Sequence, residues 1–320
     1  MANILDVNNL EIRFKSSGGI LHAVNGISFS LAEGEMLGVV GESGCGKSVT
    51  MLSLMDLVPH PGSFRADSIK LGEQELTSLT KEQRRAIRGK SIAMIFQNPM
   101  TGLNPVLSIA RQMTEMLILH CKMPKTEATA RAVELLRMVG ISSPADQLKR
   151  YPHQFSGGML QRIMIALGIS CSPRVLLADE PTTALDVTIQ AQIVELIKKM
   201  RKEINSAIIW VTHDLGVIAG MVDRVMVMYA GNIVEIASVR ELFKNPAHPY
   251  TTGLLASLPR LSSEREEHLV SIEGMPPNLK EKPTSCPFYP RCTRRREECT
   301  TALPTLREIA PGHSAACFNI

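Results

Sequence analysis

The sequence predicts an α/β fold with a largely parallel sheet, an antiparallel layer at its start and a small cysteine-rich extension at its end. Short apolar runs alternate with amphipathic stretches up to about residue 245, the pattern of strands alternating with helices. Four of those runs, residues 36–40, 92–96, 175–178 and 207–212, end at once on Gly41, Gln97, Asp179 and His213. Ligands of open α/β sheets bind beyond the carboxyl ends of the strands, so four such ends deliver chemistry to one edge. Near Asn245 the composition changes: ten of the 19 prolines and four of the seven cysteines fall in the last 75 residues.

The elements follow in order. Residues 4–14 and 27–31 alternate apolar and polar side chains, as a strand layer with one solvated face does. Between Gln97 and Tyr151 the reading is helical: Ala132, Leu135, Leu136 and Val139 recur at helical spacing and Gly140 supplies the stop. Ile193, Leu196, Ile197 and Met200 form a second helical face. Residues 224–229 and 232–236 flank Ala230-Gly231, which suggests a hairpin.

Composition narrows the function classes. At 320 residues, with about 150 per domain, the chain is one large domain or two modest ones. A hydrophobic share of 44% and a charged share of 21% exclude disorder, collagen and coiled coil as overall descriptions. A net charge of +4 and an aromatic share of 4% give no support to nucleic-acid binding. No apolar run is long enough to span a membrane. Glu11, Arg13 and Lys15 stand where a signal peptide needs an apolar core, so the expected compartment is the cytosol. Cysteines there serve metal, redox or burial rather than a disulfide framework.

Gly41-Glu42-Ser43-Gly44-Cys45-Gly46-Lys47-Ser48 fits G-x-x-x-x-G-K-[ST] between an expected strand and an expected helix. Its glycines let backbone N–H groups wrap phosphates, and the helix beginning near Lys47 aims its positive end at them. Lys47 reaches the β- and γ-phosphates, and the Ser48 hydroxyl suits Mg²⁺. Cys45 reads as a small side chain facing away, and a thiol reagent is expected to inhibit, with ATP protecting. The apolar run ending in Asp179-Glu180 is the second half: Asp179 near the Mg²⁺ shell, Glu180 polarising the attacking water. Together these describe a P-loop nucleoside triphosphatase.

Phe155-Ser156-Gly157-Gly158-Met159 resembles the Leu-Ser-Gly-Gly-Gln signature of the ATP-binding-cassette (ABC) ATPases, with Phe155 and Met159 substituted. Gln97 resembles that family's Q-loop, Ala184-Leu185-Asp186 its D-loop and His213 its switch histidine, all in family order. The resemblance covers about residues 3–245. It implies a cassette at 1–245 with a helical subdomain at about 98–165, and an extension at 246–320. It also implies two cassettes packed head to tail. Ser156, Gly157 and Gly158 would then bind the γ-phosphate held by the partner, while Lys47, Ser48, Gln97, Asp179, Glu180 and His213 act on the nucleotide in cis. Phe14 either stacks the adenine ring or belongs to the core.

In the extension, Cys286, Cys292, Cys299 and Cys317 stand at C-x5-C-x6-C-x17-C. Four thiolates close a tetrahedral zinc site or hold an iron–sulfur cluster, and four unliganded cysteines are the third reading; the missing C-x2-C spacing weakens zinc. This tail is similar to the C-terminal extension of oligopeptide, dipeptide and nickel importer ATPases, some of which carry a four-iron, four-sulfur cluster. Asn245-Pro246-Ala247-His248-Pro249-Tyr250-Thr251 and Cys286-Pro287-Phe288-Tyr289-Pro290-Arg291-Cys292 share that similarity. So does Asn98-Pro99-Met100-Thr101-Gly102-Leu103-Asn104-Pro105, placed where such cassettes receive the permease. His313 reads as a surface loop residue, with an extra ligand for the cysteine site as the alternative. The resemblance implies the ATPase subunit of a bacterial importer for peptides or a related solute such as nickel, peripheral on the cytoplasmic face of the plasma membrane. Its implied partners are a second, different cassette, two permease subunits and an extracytoplasmic binding protein. A soluble ABC ATPase of repair or translation, and a redox-sensing ATPase, are the competing readings.

Overall fold

The computed structural model describes residues 2–183, 185–258 and 271–320. The chain forms two compact units. One is built mainly of Ser78–Trp210, with Leu31–Glu35 and the segment ending at Leu5; the other comprises Asp6–Ser30, Met36–Thr77 and Val211–Ile320.

In the first unit, strands Ile92–Ile95 and Val175–Asp179 run parallel with Ile92 opposite Val175. Every residue of both is buried, as their unbroken apolar sequence requires for a sheet covered on two faces. The stretch expected to be helical contains helices Ile109–Cys121 and Lys125–Met138. The Ser108 hydroxyl accepts from the Arg111 N–H to cap the first, and Lys122 in a left-handed conformation ends it. Ala128, Ala132, Leu135 and Leu136 form the buried stripe of the second. Helices Gly157–Ile169 and Val187–Ile204 are capped by Ser156 and Asp186.

In the second unit, strands Gly19–Ala32, Asn3–Ser16, Ser68–Leu71 and Gln74–Glu75 lie in that order, with Gly62–Arg65 pairing antiparallel to Asn3–Ser16. The three short strands after residue 61 are too brief and too polar to show in the sequence pattern. The other sheet of this unit places Met36–Val40 parallel to Arg224–Tyr229, which pairs antiparallel with Asn232–Ser238. The expected turn between these last two is formed by Ala230 and Gly231, at φ 49° and 75°. Strand His313–Ala315 then pairs antiparallel with Asn232–Ser238, and Arg307–Ala310 with His313–Ala315.

His313 is therefore not the surface loop residue the sequence suggests. It is buried in a strand, and its Nε2 lies 2.7 Å from Oε1 of Glu235. A polar side chain carries no composition signal for burial when its partner lies 78 residues away.

Candidate functional site

The motif residues divide between the two units. In the second, the loop Gly41–Ser48 follows strand Met36–Val40 and opens helix Lys47–Leu54. Gly41 has φ 152°, and a Cβ there would lie 2.2 Å from the Met228 carbonyl oxygen, so the residue must be glycine on both counts. Gly44, at φ 80°, has nothing within 4 Å of where its Cβ would be. Its conformation, not packing, requires glycine, and the open side is available to phosphate. Gly46 caps the helix in a left-handed conformation without a side chain to occupy the amides, and Ser43 is exposed.

The Lys47 ammonium donates to the Gly41 carbonyl (2.7 Å) and the Glu42 carbonyl (3.0 Å). It thus folds back over the loop that it serves. Ser48 is half-buried. Cys45 is 5% exposed, and burial pushes its thiol up against the opposing pull of Lys47. Reactivity toward thiol reagents needs thiolate and access, so the inhibition expected from sequence loses its physical basis. Phe14 is half-buried in strand Asn3–Ser16, opposite Gly62, where its Cε1 lies 2.6 Å from the position of a Gly62 Cβ. His213 is exposed directly after strand Ala207–Thr212, and the next N–H, of Asp214, donates to the Thr212 hydroxyl (3.1 Å).

In the first unit, Asp179 ends its strand buried and Glu180 follows, also buried, at φ 43°. A non-glycine residue in the left-handed region stores about 1–2 kcal/mol, which the surroundings must hold in place. They do so through the carboxylate: the Gln97 Nε2 donates to Glu180 Oε2 (3.0 Å), and so does the Thr183 hydroxyl (2.9 Å). The Q-loop glutamine and the Asp-Glu carboxylate that sequence assigns to hydrolysis are thus hydrogen-bonded to one another.

Ser156 and Gly157 are exposed, and the Ser156 hydroxyl accepts from the Met159 N–H (3.4 Å). Nothing lies within 4 Å of a Cβ on Gly157, whereas Gly158 faces Ile189 at 3.1 Å. The signature thus presents an open helix start, suited to an anion from outside. Asp186 caps the next helix through the Ile189 N–H (2.9 Å); the D-loop's Ala184 lies outside the described residues.

Two residues beyond the expected set reach the phosphate loop. The Glu42 N–H donates to the Tyr250 hydroxyl (2.8 Å), and the Glu42 carboxylate is held by Arg291. Tyr229, Tyr250 and Phe288 pack ring against ring at 4.6–5.5 Å between centroids. With only 13 aromatic residues in the chain, two of these three inside short proline-bounded motifs were the available sequence signal.

The four tail cysteines share one neighbourhood. The Cys286 N–H donates to the Cys299 carbonyl (3.0 Å), and Cys292 and Cys317 each accept a backbone N–H at sulfur, from Arg294 (3.3 Å) and Asn319 (3.4 Å). Burial pushes the Cys286 thiol up to about 11, and the other three thiols push in the same direction. Among the described residues, however, no group of three or more His, Cys, Asp or Glu side chains is placed to hold a metal ion. The four residues thus converge, but the metal site expected from the cysteine count is not formed among the described residues. Among the described residues no helix is long and apolar enough to cross a membrane.

Comparison with known proteins agrees with this geometry. Residues 24–183 match the ABC transporter family, and residues 234–299 match the oligopeptide/dipeptide transporter C-terminal region. The oligopeptide transport ATP-binding protein AppD of Bacillus subtilis is 49% identical over 99% of this chain and 97% of its own length. The oligopeptide transport ATP-binding protein OppD of Salmonella typhimurium is 47% identical over 99% of this chain and 93% of its own. Among solved structures, the dimeric cassette MJ0796 bound to ADP and Pi is 28% identical, with a TM-score of 0.64 over 74% of this chain and 99% of its own. The chain belongs to the ABC transporter family, as an ATP-binding protein of its oligopeptide/dipeptide branch.

Proposed function

We propose that this chain is the ATP-hydrolysing subunit that powers import of peptides, or of a related solute such as nickel, through a bacterial ABC transporter. The observation that carries this reading is the pairing of a cassette with the oligopeptide/dipeptide-type C-terminal region in one chain, shared end to end with peptide-transport relatives. The cassette is assigned to residues 1–245, with the helical subdomain at about 98–165, and the extension to residues 246–320. Residues 98–105 are assigned to docking on a permease; Met100 within this segment and Val106 directly after it expose large apolar side chains.

In this reading the loop residues Gly41, Glu42, Ser43, Gly44, Cys45 and Gly46 surround the phosphates. Lys47 exchanges its carbonyl contacts for the β- and γ-phosphates. Ser48 and Asp179 offer the hard oxygen ligands that Mg²⁺ prefers, and the ion would neutralise charge developing on the phosphates. Glu180 accepts the proton of the attacking water, Gln97 holds that carboxylate in position, and His213 contacts the γ-phosphate. Phe14 stacks the adenine. Ser156, Gly157 and Gly158 serve the nucleotide of a second, different cassette, and the assembly sits peripherally on the cytoplasmic face of the plasma membrane with two permeases and an external binding protein.

For the tail we propose a four-iron, four-sulfur cluster held by Cys286, Cys292, Cys299 and Cys317 in preference to zinc. Backbone N–H groups aimed at two of the sulfurs support the reading, because such donors stabilise ligated thiolate. The missing C-x2-C spacing weakens zinc. Anaerobic purification should give coloured protein containing iron and acid-labile sulfide; colourless protein with one zinc would remove the cluster.

The experiment on function combines Glu180→Gln with a peptide-uptake assay in cells lacking the native gene. The amide keeps an acceptor for Gln97 and Thr183, so ATP binding should persist while hydrolysis falls by about 10²–10⁴ and labelled-peptide uptake is lost. Uptake that continues undiminished without the gene would sink the transport assignment, and full ATPase activity in the variant would sink the role of Glu180.

A further inference from the structure

Arg291 lies between Cys286 and Cys292 in the extension, and none of the chemistry above uses it. Its side chain is 4% exposed. Nη1 and Nη2 form a two-pronged pair with Oε2 and Oε1 of Glu42, at 2.7 and 2.9 Å. The rest of the fork is occupied too. Nε donates to the Glu273 carbonyl (3.0 Å), Nη2 also to the Ile272 carbonyl (3.1 Å), and Nη1 lies 3.4 Å from the Tyr229 hydroxyl. The guanidinium carbon stands 5.8 Å from the centre of the Tyr229 ring. An arginine fixed by five polar contacts to four residues is a rigid strut rather than a mobile surface charge.

The strut ends on the phosphate loop. Glu42 is the loop's second residue; its N–H is held by Tyr250 and its carbonyl accepts the Lys47 ammonium. Arg291 therefore fixes the residue from which Lys47 is aimed. It also cancels a carboxylate that would otherwise repel a triphosphate. Glu42 is 28% exposed, so that charge is only partly screened by water.

We propose that Arg291 is a positioning residue for nucleotide binding, acting through Glu42, so that the cysteine-bearing segment of the extension sets the affinity of the phosphate loop for ATP. The proposal rests on the reading of Gly41–Ser48 as the ATP site. Without Arg291 the carboxylate is left beside the phosphates and the loop loses its outer anchor. Without Glu42 there is no charge to cancel.

The test is ATP binding by the full chain with Arg291→Met, Arg291→Lys, Glu42→Gln and the Met/Gln double variant, with thermal unfolding of each as a check on folding. Arg291→Met should weaken ATP binding about tenfold, through an orphaned carboxylate. Arg291→Lys should recover part of the loss, since it restores charge but not the fork. Glu42→Gln should have a smaller effect than Arg291→Met. The double variant should bind like Glu42→Gln alone, because the two residues act as one device. A purely structural arginine would instead give effects that multiply in the double variant, without rescue by Glu42→Gln, and that result overturns the proposal. Wild-type affinity in Arg291→Met overturns it as well. If Arg291→Met does not fold, Arg291→Lys and Glu42→Gln carry the comparison, and unchanged affinity in both is refutation. Failure of the unaltered chain to bind ATP refutes the nucleotide-site reading itself, a distinct outcome.

Discussion

Glu235 is the buried group on which the extension hangs, and removing it gives a sharp prediction. Its carboxylate, in strand Asn232–Ser238, is 0% exposed. It accepts the Ala247 N–H (2.8 Å) and the His248 N–H (2.9 Å), and meets His313 Nε2 at 2.7 Å. Glu235→Ala leaves two buried groups, the His248 N–H and His313 Nε2, and the part-buried Ala247 N–H without this acceptor. Each buried donor left unmade costs about 1–3 kcal/mol, so a loss of about 3–6 kcal/mol is expected after some water enters the space. For a protein of this size that is a fall in Tm of roughly 10 °C. Calorimetry reads the fall, and hydrogen exchange reads the freed Ala247 and His248 amides directly. Glu235→Gln should be milder, about 1–3 kcal/mol, because the amide oxygen still accepts and the other tautomer of His313 can meet the new NH₂. A Tm for Glu235→Ala within about 2 °C of the parent would refute the reasoning, as would a Glu235→Gln variant less stable than Glu235→Ala.

The glycines of the phosphate loop should separate by mechanism. Gly44→Ala meets open space and should lose only the left-handed backbone preference, about 1–2 kcal/mol, whereas Gly41→Ala also drives a Cβ to 2.2 Å from a carbonyl oxygen. Chemical denaturation should rank Gly41→Ala below Gly44→Ala, and equal stabilities would contradict the geometry. Glu11 supplies a pH dependence. Burial pushes its carboxyl up, but hydrogen bonds from Lys282 and Arg65 and the charges of Lys282 and Arg13 win, holding it at about 2 against an ordinary 4.5. A carboxyl depressed on folding stabilises above its unfolded value and loses that contribution as pH falls toward its folded one. Glu11→Gln should therefore cost on the order of 1–3 kcal/mol at neutral pH, with the gap to the parent closing between about pH 4.5 and about pH 2. A gap that stays constant over that range would show that the ion pairs are not its source.

What could be read in the sequence was whatever local chemistry writes locally. The strands Met36–Val40 and Val175–Asp179 announce themselves because burial on both faces demands an unbroken apolar run. The phosphate loop is legible because glycine spacing, lysine and serine all serve one short segment. The Ala230-Gly231 turn is legible because few residues accept a positive φ. Strands such as Gln74–Glu75 and Arg307–Ala310 are not, since partners elsewhere, rather than their own pattern, make them strands. Nor does any periodicity mark Arg291 for Glu42, 249 residues earlier, or a hydrogen bond from Gln97 to Glu180 across 83. A buried polar pair looks in sequence like two surface residues.

Such polar pairs recur in the second unit. Three carboxylates before residue 246 each meet a basic side chain from after it: Glu11 with Lys282, Glu42 with Arg291, and Glu235 with His313. Glu11 and Glu235 are almost wholly buried, and Glu42 is partly so. Buried carboxylates without partners are strongly destabilising, and apolar contact alone would not require these particular residues. The extension is therefore seated by ion pairs at Glu11 and Glu42 and by a buried carboxylate–imidazole contact at Glu235, which together fix one register of docking, where apolar contact alone would tolerate several. Of the three contacts, only the one at Glu42 falls on the phosphate loop. The other two hold the extension to the same unit away from the phosphate loop, so they anchor it while Arg291, together with the Tyr250 hydroxyl, meets the loop.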